Sequence, residues 1–505
     1  MSVELDLSDL KLRLREIQDL GAAVSVLHWD QTTYMPPGGA KMRGRQLALL
    51  SRIGHARATD PVIGQLLDRL TAYASSLPSD HDDAALLSVA RRDFERAVRI
   101  PVEYSERLAK HASETYAAWV EARPRNDFQS LKSGLEKTLD LSREYANFFP
   151  EHMHLADPMI DAADLGMTVG RIRPVFAALR SGLIPLVSRI GAATQVDDVP
   201  IRRHFPGHQQ ASFGQTVIRS MGYDFARGRL DVSAHPFMTR FAHGDVRITT
   251  RTNEQFLSEQ LFSTIHEAGH ALYEQGTRAE DDGLPLGGGA SSGVHESQSR
   301  LWENIVGRSL EFWSYWYPKL RLEFPDQLKD VTLRDFFAAI NRVEPSLIRT
   351  DADEVTYNLH VMIRFELENE LLEGKLAIAD LPGAWHDRYQ SDLGVLVPDD
   401  RDGVLQDVHW YAGLIGGAFQ GYALGNIVGA QFFEAALREN PDIPDEIGRG
   451  EYGALHEWLR KNIYCLGRRL TPDQLIERVT GSGLDANPLL RRLDAKFSSI
   501  YPDDG

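Results

Sequence analysis

Apolar residues recur along this chain mostly at the three- and four-residue spacing of a helix face. Leu10, Leu14, Ile17 and Gly21 fall on one face of a first helix, with Asp6 or Ser8 as its cap. The run Met35-Pro36-Pro37-Gly38-Gly39 must interrupt it, and helical spacing resumes over residues 46–57. Leu86, Ala90, Phe94 and Val98 form a stripe that Pro101 ends. Tyr104, Leu108, Ala112, Tyr116 and Val120 continue the pattern in the next helix, where they read as core. The same spacing covers 128–149, 175–190, 301–317, 333–343 and 355–372, and nearly everything beyond Tyr422 to Phe497, whereas the polar stretch 386–401 reads as loop or short helices. One region changes period. Within 229–252, Val246, Ile248 and Thr250 alternate with Arg247, Thr249 and Arg251, which predicts a small sheet whose edge strand can pair with an extended peptide. There is no internal repeat, low-complexity tract or linker rich in Pro, Gly or Ser. The pattern predicts a mainly α fold, one large helical domain over 1–505 with that small sheet.

Metal chemistry is concentrated in one of these helices. Residues 264–276 read TIHEAGHALYEQG, with His266, Glu267 and His270 in the order His-Glu-x-x-His. Residues four apart share a helix face, so both imidazoles can reach one cation, and Glu267 beside them can accept a proton from an attacking water. A histidine on a helix is more often a surface or core residue, so the motif needs a third ligand. Glu296 follows a glycine-rich stretch, near the start of a second helix. Two histidines and one carboxylate leave a position open, the arrangement that a hydrolase uses. Gly287, Gly288 and Gly289 follow no strand and do not fit GxGxxG; they predict a mobile or tightly turned loop beside the site rather than a phosphate loop.

Composition excludes some alternatives. Lys+Arg 55 against Asp+Glu 72 leaves a net charge of −17, which argues against nucleic acid or an anionic membrane as partner. Cys465 is the one cysteine, so no intrachain disulfide can form, in keeping with a reducing compartment. The N-terminus lacks the apolar stretch of a signal peptide, and no run approaches the roughly 20 apolar residues of a membrane span. A cytoplasmic protein is expected.

Other segments carry a resemblance. His235-Pro236-Phe237 is similar to an HPF motif and Asp245-Val246-Arg247-Ile248-Thr249 to DxRxT. His295-Glu296-Ser297-Gln298 is similar to HES(G/Q), residues 348–353 to IRxxAD, and residues 403–410 to GxxQDxHW. With the metal motif, and with WDQTTYMPPGGAKMRGRQ from Trp29, they follow the order found in the carboxypeptidase Taq family of thermostable zinc metallocarboxypeptidases, which the chain resembles over nearly its whole length. The resemblance implies a fold similar to the neurolysin and angiotensin-converting-enzyme group, a helical molecule split by a deep groove with the metal at its floor. It implies a broadly specific carboxypeptidase acting on peptides with a free C-terminus, usually a homodimer, with Glu296 as the third ligand. The ion is expected to be Zn2+, although such a ligand set also accepts Co2+ or Mn2+.

By the same resemblance Arg349 is the candidate for the substrate's terminal carboxylate, which a planar guanidinium binds through two parallel bonds. Its alternative is an ion pair with Asp351 or Asp353. Arg247 is the second candidate, with Asp245 as its alternative partner. His235 and His409 are candidates for the substrate backbone or the oxyanion, or for bonding a metal ligand, and Tyr422 for the oxyanion. The family's GLFGYFPTY stretch departs here to GLIGGAFQGY over 413–422: an earlier tyrosine falls on Gly417, one residue is added, and Tyr411 stands as a replacement hydroxyl. Two competing readings remain. One is an oligopeptidase or dipeptidyl carboxypeptidase with the same centre. The other is a peptide-binding protein with structural zinc, against which Glu267 stands, since a closed structural site has no use for a base.

Overall fold

The computed structural model of this chain describes residues 2–78 and 80–502. It opens with a long helix, α1 (Val3–Thr33), capped by Ser2, whose hydroxyl accepts the Leu5 N–H at 3.4 Å. Neither Asp6 nor Ser8 caps it, because Ser2 starts the helix a turn earlier. Asp6 is instead buried and accepts two 3.0 Å hydrogen bonds from Arg69. Pro36 and Pro37 end the helix, as residues without a backbone N–H must, and α2 (Ala40–Ala58) folds back along it without burying any residue.

Two helices, α3 (Pro61–Ser75) and α4 (Asp82–Arg99), complete an N-terminal layer with a small core of its own. There Leu10, Leu14, Leu66, Leu70 and Leu86 close on Leu284 and Leu286, which come from the loop after the metal-motif helix. The layer is thereby fastened to a loop that borders the site. The rest of the apolar interior is one larger cluster running from α5 (Val102–Ala122) and α6 (Lys132–Asn147) to the C-terminal helices.

The two N-terminal stripes are only half right. Leu86, Ala90 and Tyr104 are buried, but Val98 is 47% exposed, Tyr116 48% and Val120 47%. A four-residue step overshoots one turn by about 40°, so a strict i+4 ladder leaves the core after two or three steps. In α5 the buried positions are Tyr104, His111, Thr115 and Ala122 instead. The first half of 386–401 is also more regular than its polarity indicated, since the helix Leu381–Leu393 runs through it before Gly394 ends it. Helix Val169–Ala192 is long and apolar enough to cross a membrane by length and composition, a run not expected from the sequence. It turns Ile172, Phe176, Leu179 and Leu183 into the main core.

The sheet has three strands in the order β1 (Leu230–Val232), β3 (Asp245–Thr250), β2 (Met238–Ala242). β3 pairs in parallel with β1 and antiparallel with β2, with a bulge between Arg240 and Ala242. Val246 and Ile248 point inward as their alternation predicts. β3 packs on the metal-motif helix, Leu257–Gln275, and β2 is left as an edge.

Candidate metal centre and substrate pocket

The metal-motif helix is buried over most of its length, and its small residues Ala268, Gly269 and Ala271 let neighbouring backbone approach. Helix Ser292–Arg300 crosses it, capped by Ser291, and carries Glu296. Helix Gln420–Glu439 presses from the other side. Its Gly425 lies so close that a Cβ there would sit 2.4 Å from Glu296 Cγ. Only glycine permits that approach, and it fixes how far the Glu296 carboxylate projects toward the imidazoles.

The result is a triangle. Glu296 Oε2 lies 3.7 Å from His266 Nε2 and 3.4 Å from His270 Nε2, with all the ligand atoms within 4.8 Å of one another. Ligands at about 2.0–2.2 Å from a tetrahedral ion are about 3.3–3.6 Å apart, so the donor set fits a divalent cation. Each ligand is held from behind. His266 Nδ1 donates to Glu303 Oε2 at 2.8 Å, which leaves Nε2 as the acceptor facing the triangle. His270 Nδ1 lies 2.6 Å from His295 Nδ1, and His295 Nε2 bonds Glu274 Oε1 at 2.9 Å. Arg300 Nε donates to Glu296 Oε1 at 2.7 Å and its Nη1 to Glu303 at 3.2 Å. Glu303 reaches its place from a π-helical turn, Leu301–Val306, where the Gly307 N–H returns to the Trp302 carbonyl.

The electrostatics follow from burial against close partners. Burial alone would raise the Glu296 carboxyl, but Arg300, His266 and His270 overcome it and hold it well below the usual carboxylate range. Glu303 is likewise brought to about 2, with Arg300 and His266 outweighing burial. Glu267 has no such partner. Burial, then the repulsion of Glu296 and Glu303, push it up to about 7 against the pull of His266. His270 is pushed down to about 4, chiefly by burial. A pocket of about 530 Å3 opens over this centre, lined by His270, Glu274, Gly289, His295, Tyr422 and Arg468 among others.

Behind Tyr422 lies a second cluster. Arg349 is only 5% exposed; its Nε and Nη2 donate to Asp407 at 3.1 and 2.8 Å, and its Nη1 to the Tyr357 hydroxyl at 3.1 Å. Arg364 Nε takes the other oxygen of Asp407 at 2.5 Å. The partner of Arg349 is therefore Asp407 rather than the adjacent Asp351 or Asp353. The Arg349 guanidinium lies 5.0 Å from the Tyr422 ring, and the Tyr422 hydroxyl 3.3 Å from His409 Nε2. Burial pushes His409 down to about 4, so it is neutral at physiological pH. Burial pushes Tyr422 up to about 12, keeping its proton available to donate.

Not every candidate gathers here. His235 lies exposed on the connection between β1 and β2, and its carbonyl accepts from Ser233. Arg247 is bidentate to Asp245 at 2.8 and 2.7 Å and stacks over Trp29 at 4.4 Å. Tyr411 is buried, its hydroxyl 3.3 Å from the Val404 carbonyl, and supplies no replacement group. The departed loop has its own geometry: Gly417 has φ +76°, and a Cβ there would meet Met159 backbone at 2.7 Å, which excludes a tyrosine. Glu303, Arg300, Tyr357 and Glu274 were not anticipated. Of these, Glu274 had a signal, since it continues the face of His266 and His270 by another turn.

Comparison with known proteins agrees with the geometry. The model of the Carboxypeptidase Taq (M32) metallopeptidase family matches residues 9–497. The chain is 43% identical over 499 residues to thermostable carboxypeptidase 1 of Thermus thermophilus, covering 96% of this chain and 97% of that protein. It is 36% identical to carboxypeptidase 1 of Bacillus subtilis, with 97% of each covered. The crystal structure of an M32 carboxypeptidase from Deinococcus radiodurans R1 superposes with a TM-score of 0.95 at 50% identity, over 98% of this chain and 99% of that one. A family match of this extent, on a chain whose His-His-Glu triangle fits a divalent ion, means that the protein belongs to the Carboxypeptidase Taq (M32) metallopeptidase family and is a metallocarboxypeptidase.

Proposed function

We propose that this protein removes single residues from the C-termini of peptides with broad specificity, using Glu267 as general base. The observation that carries the exopeptidase reading is the charge behind Tyr422. There two buried guanidiniums, Arg349 and Arg364, share the single carboxylate of Asp407. Burial leaves the excess positive charge short of solvation, and a substrate's terminal carboxylate answers it. Each Arg349 Nη keeps a second N–H, so the carboxylate is met by parallel donors.

His266, His270 and Glu296 would hold the cation, zinc by expectation with cobalt or manganese able to substitute. When bound it supplies Lewis acidity to the attacking water and the scissile carbonyl. Glu267, poised near 7, accepts the water's proton and later delivers it to the leaving amine. Tyr422 donates its hydroxyl to the carbonyl oxygen as negative charge develops there, and neutral His409 orients that hydroxyl. Edge strand β2 is the place where an extended peptide can add to the sheet. The reading takes the protein to be a cytoplasmic homodimer.

The test is digestion of one peptide as free acid and as C-terminal amide, followed by mass spectrometry, with wild type and Glu267→Gln stripped of metal and reloaded. Expected is a ladder of single-residue losses from the free acid alone, slowed about 10²–10⁴-fold in Glu267→Gln. Internal cuts, or equal attack on the amide, would establish the oligopeptidase instead. Tight binding without cleavage under any metal would point to a peptide-binding protein.

A further inference from the structure

A second cavity, of about 440 Å3, opens where α3 and α4 face residues 149–161. In a chain of net charge −17, α4 turns four arginines toward it: Arg91, Arg92, Arg96 and Arg99. Three are matched. Arg91 Nη1 donates to Asp68 at 3.0 Å and lies 3.8 Å from Glu95, which also lines the cavity; Arg96 pairs with Asp161, and Arg99 with Glu151. Among the described residues Arg92 has no carboxylate to itself. Its Nε is 3.5 Å from Asp93 Oδ1, and Asp93 already accepts two 2.8 Å bonds from Arg468. Two guanidiniums thus share one carboxylate in a partly desolvated place, and burial with the Arg468 charge lowers the Arg92 pKa. The sharing has the same form as at Arg349 and Arg364, in a more open place: the Asp93 side chain is 40% exposed against 11% for Asp407.

Arg468 lines the metal pocket with Glu274 and Gly289, and through Asp93 it stands next to Arg92 of the arginine cavity. Asp161 borders the arginine cavity, and the next residues, Ala162 and Ala163, border the metal pocket. Contacts lead from Arg349 through Tyr422 to Glu296, His270 and His295, then along the glycine loop to Leu286, whose carbonyl accepts the Arg468 N–H. A peptide whose terminal carboxylate lies at Arg349 therefore sends its N-terminal part toward Arg468 and Arg92.

Resting on the carboxypeptidase reading above, we propose that Arg92 and Arg468 form an upstream subsite that takes an acidic side chain of the substrate. Peptides with a glutamate or aspartate several residues before the scissile bond are then the preferred class.

A positional scan tests this. Free-acid peptides carry one glutamate moved stepwise through the upstream half, each with a glutamine twin, and KM and kcat are measured at low and high salt. At one position glutamate lowers KM about three- to tenfold with kcat little changed, and salt erodes the advantage. Arg92→Gln loses the preference and Arg92→Lys keeps part of it. No difference between twins at any position, or a preference that survives Arg92→Gln, overturns the proposal; if that variant does not fold, the wild-type scan and its salt dependence still decide. Failure of the underlying reading looks different: an acylated dipeptide too short to reach the cavity would go uncleaved by wild type. In that event, fluorescence anisotropy of the twins on Glu267→Gln protein settles the subsite without turnover.

Discussion

The two buried charge clusters of the pocket are unbalanced in opposite directions. At the metal end, four carboxylates, Glu267, Glu274, Glu296 and Glu303, surround His266 and His270 and meet three guanidiniums: Arg300 answers both Glu296 and Glu303, Arg308 lies 3.5 Å from Glu303, and Arg240 lies 3.4 Å from Glu274. At the other end, Arg349 and Arg364 share Asp407. One end carries an excess of negative charge and the other an excess of positive charge, with Tyr422 between them. Asp6 and Arg69 give the contrast, a buried carboxylate closed one to one by a single guanidinium. Buried charge by itself marks no site; the uncompensated remainder does, because a protein bears that cost only where something else will cancel it.

The comparison breaks most severely at Asp407. Asp407→Asn leaves two guanidiniums buried without a countercharge and should lower stability by ~3–5 kcal/mol, read by chemical denaturation. A loss of under about 1 kcal/mol would mean that solvent reaches the pair and that the positive end is not unbalanced as described. A smaller effect is expected at the metal end. Glu303→Gln removes the carboxylate that orients His266 and should weaken metal binding about 10–100-fold in a chelator competition, with the helical circular dichroism unchanged. Unaltered affinity would reduce Glu303 to a partner of Arg300 and Arg308.

The smallest effect sharpens the picture of the positive end. Glu368 accepts the Trp410 N–H at 2.8 Å, and burial outweighs that bond to push its pKa up to about 7. The fold thus favours the protonated form. Its contribution is present below the ordinary glutamate pKa of about 4.3 and is lost as pH rises through 7. Glu368→Gln should therefore melt higher than wild type above about pH 8, by ~1–3 kcal/mol, and show no gain near pH 4. A melting profile parallel to that of wild type would show that Glu368 is ionised throughout.

What could be read from the sequence divides along a similar line. His266, Glu267 and His270 lie on one turn-and-a-bit of helix, so local periodicity suffices to place them together. Glu296 followed from the need for a third ligand, and the small sheet from the alternation of Val246 and Ile248. The supports of these residues come from elsewhere in the chain. Adjacency offered Asp351 or Asp353 to Arg349, yet tertiary packing brought Asp407, 58 positions away. Glu303 reaches His266 only through a π-turn, which no hydrophobic pattern announces. Val98, Tyr116 and Val120 were placed in the core because a four-residue ladder was followed too far, and the same arithmetic holds for any long surface helix.

That π-turn also makes the chain's length matter as much as its letters. Because the Gly307 N–H returns five residues to Trp302 instead of four, the segment holds one residue more than a regular helix of equal reach. Losing a single residue there would let the backbone relax into ordinary helix, a change that local energetics favour. It would also rotate Glu303 by about 100° away from His266. A deletion that looks harmless to folding would thus unhook a candidate metal ligand, and a homologue one residue shorter here would have to support that imidazole with some other carboxylate.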